Sequence, residues 1–237
     1  MGVIACYRLS DQSASFEFFY WLVVVQAMGA TEVVIDAANP KTSKMTLESI
    51  RSRLHNILIP GVALAGLPVR VGDYRRGMIT ARAPDIFSWV RSGKSFARLK
   101  SVKPPGVAKY TVTLRRQVGA PLRNSNELDW RKFAEEIGAT VIEEYAVQPI
   151  HLHDRFSLYA GAEMNFGVCN GPVVTTTLTE YPVIMFVPPG SASNSMVKSG
   201  VPLGEQLPWA LPWQRCVWKP DDLEEMRKVL AQWRSWQ

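Results

Sequence analysis

HDRFSLYAGAEMNFGVCNGPVVTTTLTEYPVIMF, residues 153–186, decides the fold class. His153 to Ala162 reads as a helix, and Glu163 to Val168 as a strand or extended stretch. Asn170-Gly171-Pro172 is a turn, Val173 to Thr179 a short helix, and Pro182 to Val187 (PVIMFV) a buried strand. Upstream, Lys109 to Leu114 (KYTVTL) is a strand by composition, followed by a polar loop from Arg115 to Asn126 that carries Gly119 and Pro121. Asn126 can cap a helix over Glu127 to Ile137, which Gly138 ends before a strand at Thr140 to Glu143. Downstream, Pro188 to Pro212 reads as a long loop rich in Pro, Gly and Ser. Asp221 to Trp236 reads as a closing helix whose acidic start suits the dipole.

The first half has the same rhythm. Gly2 to Tyr7 is a β-rich run, Ser15 to Met28 a helix with Ser13 or Ser15 as N-cap, Gly29 its C-terminal glycine, and Thr31 to Ile35 a second strand. Strand, helix and strand at this spacing make a βαβ unit, which pairs its strands in parallel through a right-handed crossover. Leu47, Ile50, Leu54 and Leu58 mark a helix over Thr46 to Leu58, which Pro60 and Gly61 are expected to end. Pro68 to Val71 suits a third strand, and Asp85 to Arg91 a helix. The expected architecture is α/β: two Rossmann-like domains with parallel sheets. Ser95 to Gly106 is the linker, with an N-terminal domain over 1–105 and a C-terminal one over 106–237.

Composition narrows the class. The chain has 237 residues, 47% hydrophobic and 20% charged, ordinary for a globular protein. Cys6, Cys169 and Cys216 stand far apart and odd in number, which argues against a disulfide framework or structural zinc and fits a reducing cytoplasm. Phe16 to Met28 is too short to span a bilayer, and Asp11 and Glu17 stand where a signal peptide wants positive charge. Cys6 replaces the Ser or Thr of a myristoylation site. The expected location is therefore cytoplasmic.

The net charge of +6 is unevenly placed: from Arg70 to Lys132 there are 15 Lys and Arg against 4 Asp and Glu. A basic middle suits an anionic partner, whether a phosphorylated ligand, nucleic acid or a membrane surface, and also suits a merely solvated surface.

Three features carry chemistry. Arg115 directly follows a strand, where open α/β sheets bind ligands, and a guanidinium holds phosphate bidentately. Asn170, Gly171 and Pro172 open a helix whose first N–H groups suit an anion, with hydroxyls at Thr175, Thr176 and Thr177. The loop from Pro188 to Pro212 is longer than the roughly 12–15 residues usual for an unstructured connection, and could close over a base or sugar.

Residues 153–186, together with KYTVTLRRQVGAPLRNSN at 109–126, resemble the C-terminal nucleotide-sugar-binding region of GT-B glycosyltransferases, in particular fucosyltransferase-like and heptosyltransferase-like members. The likeness covers roughly Lys109 to Gln237. It implies that Arg115 and the Asn170–Gly171–Pro172 turn, with Thr175, grip the donor diphosphate, assisted by Asn124 and Asn126. It places His153, Asp154 and Arg155 near the base or ribose. It also implies no cofactor beyond the nucleotide sugar and no divalent metal; no Asp-x-Asp pair is present. Two departures stand out: the chain is short for such an enzyme, and Leu9-Ser10-Asp11-Gln12-Ser13 replaces the glycine-rich loop after the first strand.

The implied reaction displaces a nucleoside diphosphate by an acceptor hydroxyl. Asp11 is the first candidate for its base, with Glu17, Asp36 and His55 as alternatives. There is no G-x-S-x-G elbow, P-loop or G-x-G-x-x-G, and His55, His151 and His153 make no metal set. Two rivals stay open. One is a GT-B-fold nucleotide-sugar epimerase. The other is a Rossmann-like binding module for nucleic acid or a protein partner, using Arg75, Arg76, Arg82, Arg91, Lys94, Arg98, Lys100 and Lys103 interleaved with Tyr74, Phe87, Trp89 and Phe96; the lack of a recognised motif speaks against nucleic acid. Peripheral membrane contact stays open too. The tryptophans near the end, Trp209, Trp213, Trp218, Trp233 and Trp236, suit an acceptor surface or a dimer contact.

Overall fold

The computed structural model describes residues 2–41, 45–80, 85–104, 106, 108–117, 121–144 and 149–235, the side chains of residues 144, 234 and 235 aside. Arg82, Gly119 and Trp236 lie outside them. The chain divides into two compact units: Met1–Val102 with Val147–Arg155, and Lys103–Ala146 with Phe156–Gln237.

In the first unit, β1 (Val3–Arg8), β2 (Ala30–Asp36) and β3 (Val69–Val71) form a parallel sheet in the order β1-β2-β3. The chain then returns to the far side of β1, where Ile79 makes a parallel bridge to Ala5. α1 (Phe18–Ala27) links β1 to β2 and buries Phe18, Phe19, Trp21 and Leu22 to Val25. Each large apolar side chain so buried contributes about 1.5–3 kcal/mol. Neither Ser13 nor Ser15 caps α1; the Ser13 hydroxyl donates to Ser15, and Glu17 stands at the cap without a side-chain bond.

Pro60 and Gly61 do not end the next helix. α2 (Leu47–Arg53) runs through a π turn (Leu54–Leu58) into α3 (Ile59–Leu64). The wider π register shifts the hydrogen bonding by one residue just ahead of the proline, which has no N–H to give. Gly61 persists inside the helix because a Cβ there would stand 2.4 Å from Phe19 Cε1. α4 (Ile86–Arg91) starts at Asp85, whose carboxylate accepts from Ser88 N–H at 3.0 Å.

The second unit holds a five-stranded parallel sheet, β4 (Ala108–Arg115), β5 (Thr140–Glu144), β6 (Ala162–Val168), β7 (Val183–Phe186) and β8 (Gln214–Val217), in the order β5-β4-β6-β7-β8. The alternation in KYTVTL sets its two faces. Tyr110, Val112 and Leu114 join Trp130 and Phe133 of α5 (Glu127–Ile137) and Met226, Leu230 and Trp233 of α9 (Leu223–Ser235) in one core. Thr111 and Thr113 face the other way. The Thr111 hydroxyl donates to Asn165 Oδ1 at 2.6 Å, and Thr113 shares a 2.9 Å bond with the Tyr159 hydroxyl of α6 (Leu152–Ala160).

Three elements differ from the sequence reading. The stretch expected as an unstructured loop contains α8 (Ser191–Lys198) and is followed by β8, a fifth strand. Asn126 occupies the cap position of α5 but makes no side-chain cap. Its backbone N–H is taken by Asp221 Oδ2 at 2.9 Å, which also accepts from Trp130 Nε1 at 2.8 Å. Asp221 thus ties α9 to α5, and Asp222 does the capping, accepting from Glu225 N–H.

The outer side of β8 is met by a side chain. The Gln206 amide exchanges two bonds with Cys216, accepting from its N–H at 2.6 Å and donating to its carbonyl at 3.0 Å.

Candidate functional site

Strand order locates the candidate site of the second unit. From β4 the chain steps outward to β5; from β6 it steps the opposite way to β7 and β8. In parallel sheets the crevice beyond the carboxyl ends of such a neighbouring pair is where ligands bind. The residues there are Arg115, closing β4, and Cys169 and Asn170, just past β6.

The loop after β4 is tied down. Arg115 N–H donates to Ser125 Oγ at 2.8 Å, and Ser125 N–H to the Arg115 carbonyl at 3.1 Å. Asn124 pairs with the Gln117 backbone in both directions, at 2.8 and 3.2 Å. Asn124 therefore shapes the loop rather than offering its amide outward. The Arg115 guanidinium donates to Gln117 Oε1. The loop folds into a 3₁₀ turn, Pro121–Arg123, against which α8 packs.

Arg123, which the sequence reading did not single out, joins Arg115 here. Burial pushes the Cys169 thiol up to about 11, while the guanidiniums of Arg123 and Arg115 pull the other way. Cys169 is therefore a neutral, inert thiol. α8 adds an N-terminus that begins at Gly190 with no side-chain cap. The signal for α8 was thin: Ala192 and Met196, four apart, behind Pro188-Pro189-Gly190 and ahead of Gly200.

Asn170 caps α7 (Gly171–Thr176), accepting from Val173 N–H at 2.9 Å, and is 6% exposed. The hydroxyls of Thr175, Thr176 and Thr177 donate back to the carbonyls of Gly171, Val173 and Val174. They are buried and already engaged as donors, which leaves the backbone of the turn at Gly171 and Pro172. Asn126 lies at the start of α5, its amide on Asp129. His153, Asp154 and Arg155 sit in the first turn of α6, in the segment that belongs to the first unit; His153 and Asp154 are exposed and Arg155 fully buried.

In the first unit, Asp11 follows β1. Its carboxylate is engaged twice, by Arg8 Nη1 at 3.0 Å and by the Ser10 hydroxyl at 3.1 Å. Arg8 also stands 3.6 Å from the buried Asp36 carboxylate, and its Cζ lies 5.3 Å from the Tyr74 ring centroid. Among the alternatives, Asp36 accepts from Ala38 N–H, Glu17 is exposed at the start of α1, and His55 is exposed on the π turn rather than packed.

Three aromatics of the basic middle are engaged within the fold. Phe87 is buried against Tyr20, Trp89 donates to Ser95 and lies under Lys94, and Tyr74 lies under Arg8. Of the late tryptophans, Trp209 donates to Thr177, Trp213 to Glu180 and Trp218 to Glu205, each holding its own unit together. Among the described residues no three His, Cys, Asp or Glu stand together as metal ligands, and no helix is long and apolar enough to cross a membrane.

No protein-family model matches the chain, and no curated protein matches it in sequence. Among solved structures it is similar to the bacterial iron-containing dodecameric glycosyltransferase TibC from enterotoxigenic E. coli H10407. The two are 15% identical over 78% of this chain, with a TM-score of 0.41. The chain spans 58% of that protein's length, and a likeness at this level assigns it neither an activity nor a substrate.

Proposed function

We propose that the chain is a metal-independent glycosyltransferase that takes a nucleotide-sugar donor on its second unit and an acceptor hydroxyl on its first. The observation that carries the reading is Arg115 closing β4 beside β6, with Arg123 on the 3₁₀ turn of the loop that follows. Two cations there suit a diphosphate, and they suit it better as the glycosidic bond breaks and charge gathers on the leaving group. The uncapped start of α8 adds partial positive charge beyond the neighbouring strand. Asn124 and Ser125 are positioning residues, because their bonds hold the loop that carries both arginines. Asp11 remains the proposed base: it is half exposed and follows β1, and Arg8 and Ser10 fix its orientation.

The test is a thermal-shift series of the full chain with uridine, guanosine and adenosine diphosphates and their sugar conjugates. A ligand at about 100 times its Kd adds roughly 2.7 kcal/mol to the folded state. One nucleotide family is expected to raise the Tm, and Arg115→Ala and Arg123→Ala each to abolish that rise. If no nucleotide shifts the wild type, and single-stranded nucleic acid binds in a salt-sensitive way, the protein is a binding module instead.

A further inference from the structure

The chain between β3 and Ile79 passes over the carboxyl ends of β2 and β1 and is pinned along its length. Gly72 N–H donates to the Ile35 carbonyl at 3.1 Å. Tyr74 stacks under Arg8. Residues 75–78 form a turn: Met78 N–H donates to the Arg75 carbonyl at 3.3 Å, Arg75 N–H to Met78 Sδ at 3.4 Å, and Gly77 takes φ +94. Ile79 then exchanges bonds with Ile4 and Cys6.

That turn carries Arg75 and Arg76 in succession, both exposed. Among the described residues neither guanidinium has a carboxylate within ion-pair distance, although the exposed Asp73 stands two residues before Arg75, whereas Arg8 pairs with Asp11 and Asp36. Guanidiniums on two neighbouring residues can both donate to the oxygens of one phosphate, which also relieves their mutual repulsion. Tyr74, 37% exposed, adds an aromatic flank.

We propose that Arg75 and Arg76 bind a phosphate group on the molecule that the first unit takes, on the segment whose Tyr74 lies against Arg8, the partner of Asp11. Resting on the transferase reading above, this makes the acceptor a phosphorylated hydroxyl compound. The phosphate can belong to a soluble sugar phosphate or to a lipid headgroup.

The experiment uses the full chain and its Arg75→Ala/Arg76→Ala double variant. Glucose 6-phosphate, with glucose as control, is titrated by calorimetry. Sedimentation is followed with phosphatidylcholine vesicles with and without phosphatidic acid. Binding of glucose 6-phosphate but not glucose, weakened about tenfold or more in the double variant, supports a soluble phosphate. Binding confined to phosphatidic acid vesicles and lost in the double variant supports a lipid source. If the wild type ignores both probes, or the double variant keeps the binding, the proposal falls. Both side chains are exposed, so the variant should melt like the wild type. The nucleotide series separates the two readings: phosphate binding through Arg75 and Arg76 without any nucleotide shift removes the transferase reading and leaves this site standing.

Discussion

At the scale of single residues, Gly61 and Gln214 show how much rests on close fits. A methyl at Gly61 collides with Phe19, and overpacking of this kind costs about 1–3 kcal/mol. Gly61→Ala should therefore lower the Tm by about 2 °C or more; an unchanged Tm would mean that α3 can move off α1 freely. The buried Gln214 amide donates to the carbonyls of Thr176, Thr179 and Tyr181, at 3.3, 2.9 and 3.1 Å. Removing it takes a donor from the carbonyls of Thr179 and Tyr181, at roughly 1–3 kcal/mol each, while the Thr176 carbonyl keeps its bonds from Thr179. Gln214→Ala should cost at least about 2 kcal/mol in urea denaturation, while Gln214→Glu, which has lost the donor, should be no better. Neither role is legible in the sequence: a glycine after a proline reads as a helix end, and a polar residue near the C-terminus reads as surface. The same holds for Arg123. It lies in a polar loop whose shape comes from side-chain bonds, and no spacing rule reports those.

At the scale of elements, legibility followed apolar content. α5 was readable to the residue because Asn126 and Gly138 bracket an amphipathic run, and Gly138 does take φ +65. α8 was not, because Ser, Ala and Asn dominate it and only Ala192, Ser193 and Met196 are buried. β8 has four residues with alternating burial, too few to rise above a proline-rich background. A further prediction concerns the ion-pair net that joins the end of β4 to α5 and β5. Arg116 and Arg131 each pair with both Glu127 and Glu143. Hydrogen bonds from Arg116 and Arg131 hold the Glu127 carboxyl down to about 2, from an ordinary 4.5. Its contribution is therefore whole above about pH 4.5 and is lost as pH falls towards 2. The net is exposed, so the effect is modest. Wild type should lose stability more steeply than Glu127→Gln across that window in parallel melts; equal slopes would show that the net contributes nothing.

At the scale of the molecule, alternating helices and strands gave both sheets as parallel, but strand order is a tertiary fact. The step that puts β6 beside β4, and so creates the candidate crevice, has no trace in any single segment. The division into units is also one that composition does not show: Val147–Arg155 belongs to the first unit although both its flanks belong to the second. Leu152 and Arg155 are fully buried there. Fragments cut between Val102 and Lys103 should then melt less cooperatively than the intact chain, the first lacking a piece of its own fold. Circular dichroism melts of the two fragments check this, and two sharp transitions would overturn it.

The glutamine beside β8 matters when many copies meet. A bare outer strand is a template on which another chain can align, and repeated alignment grows fibrils. Gln206 acts as a one-residue decoy strand, answering Cys216 before a stranger can. Concentrated Gln206→Ala protein should turn turbid and bind amyloid dyes under conditions where the wild type stays clear.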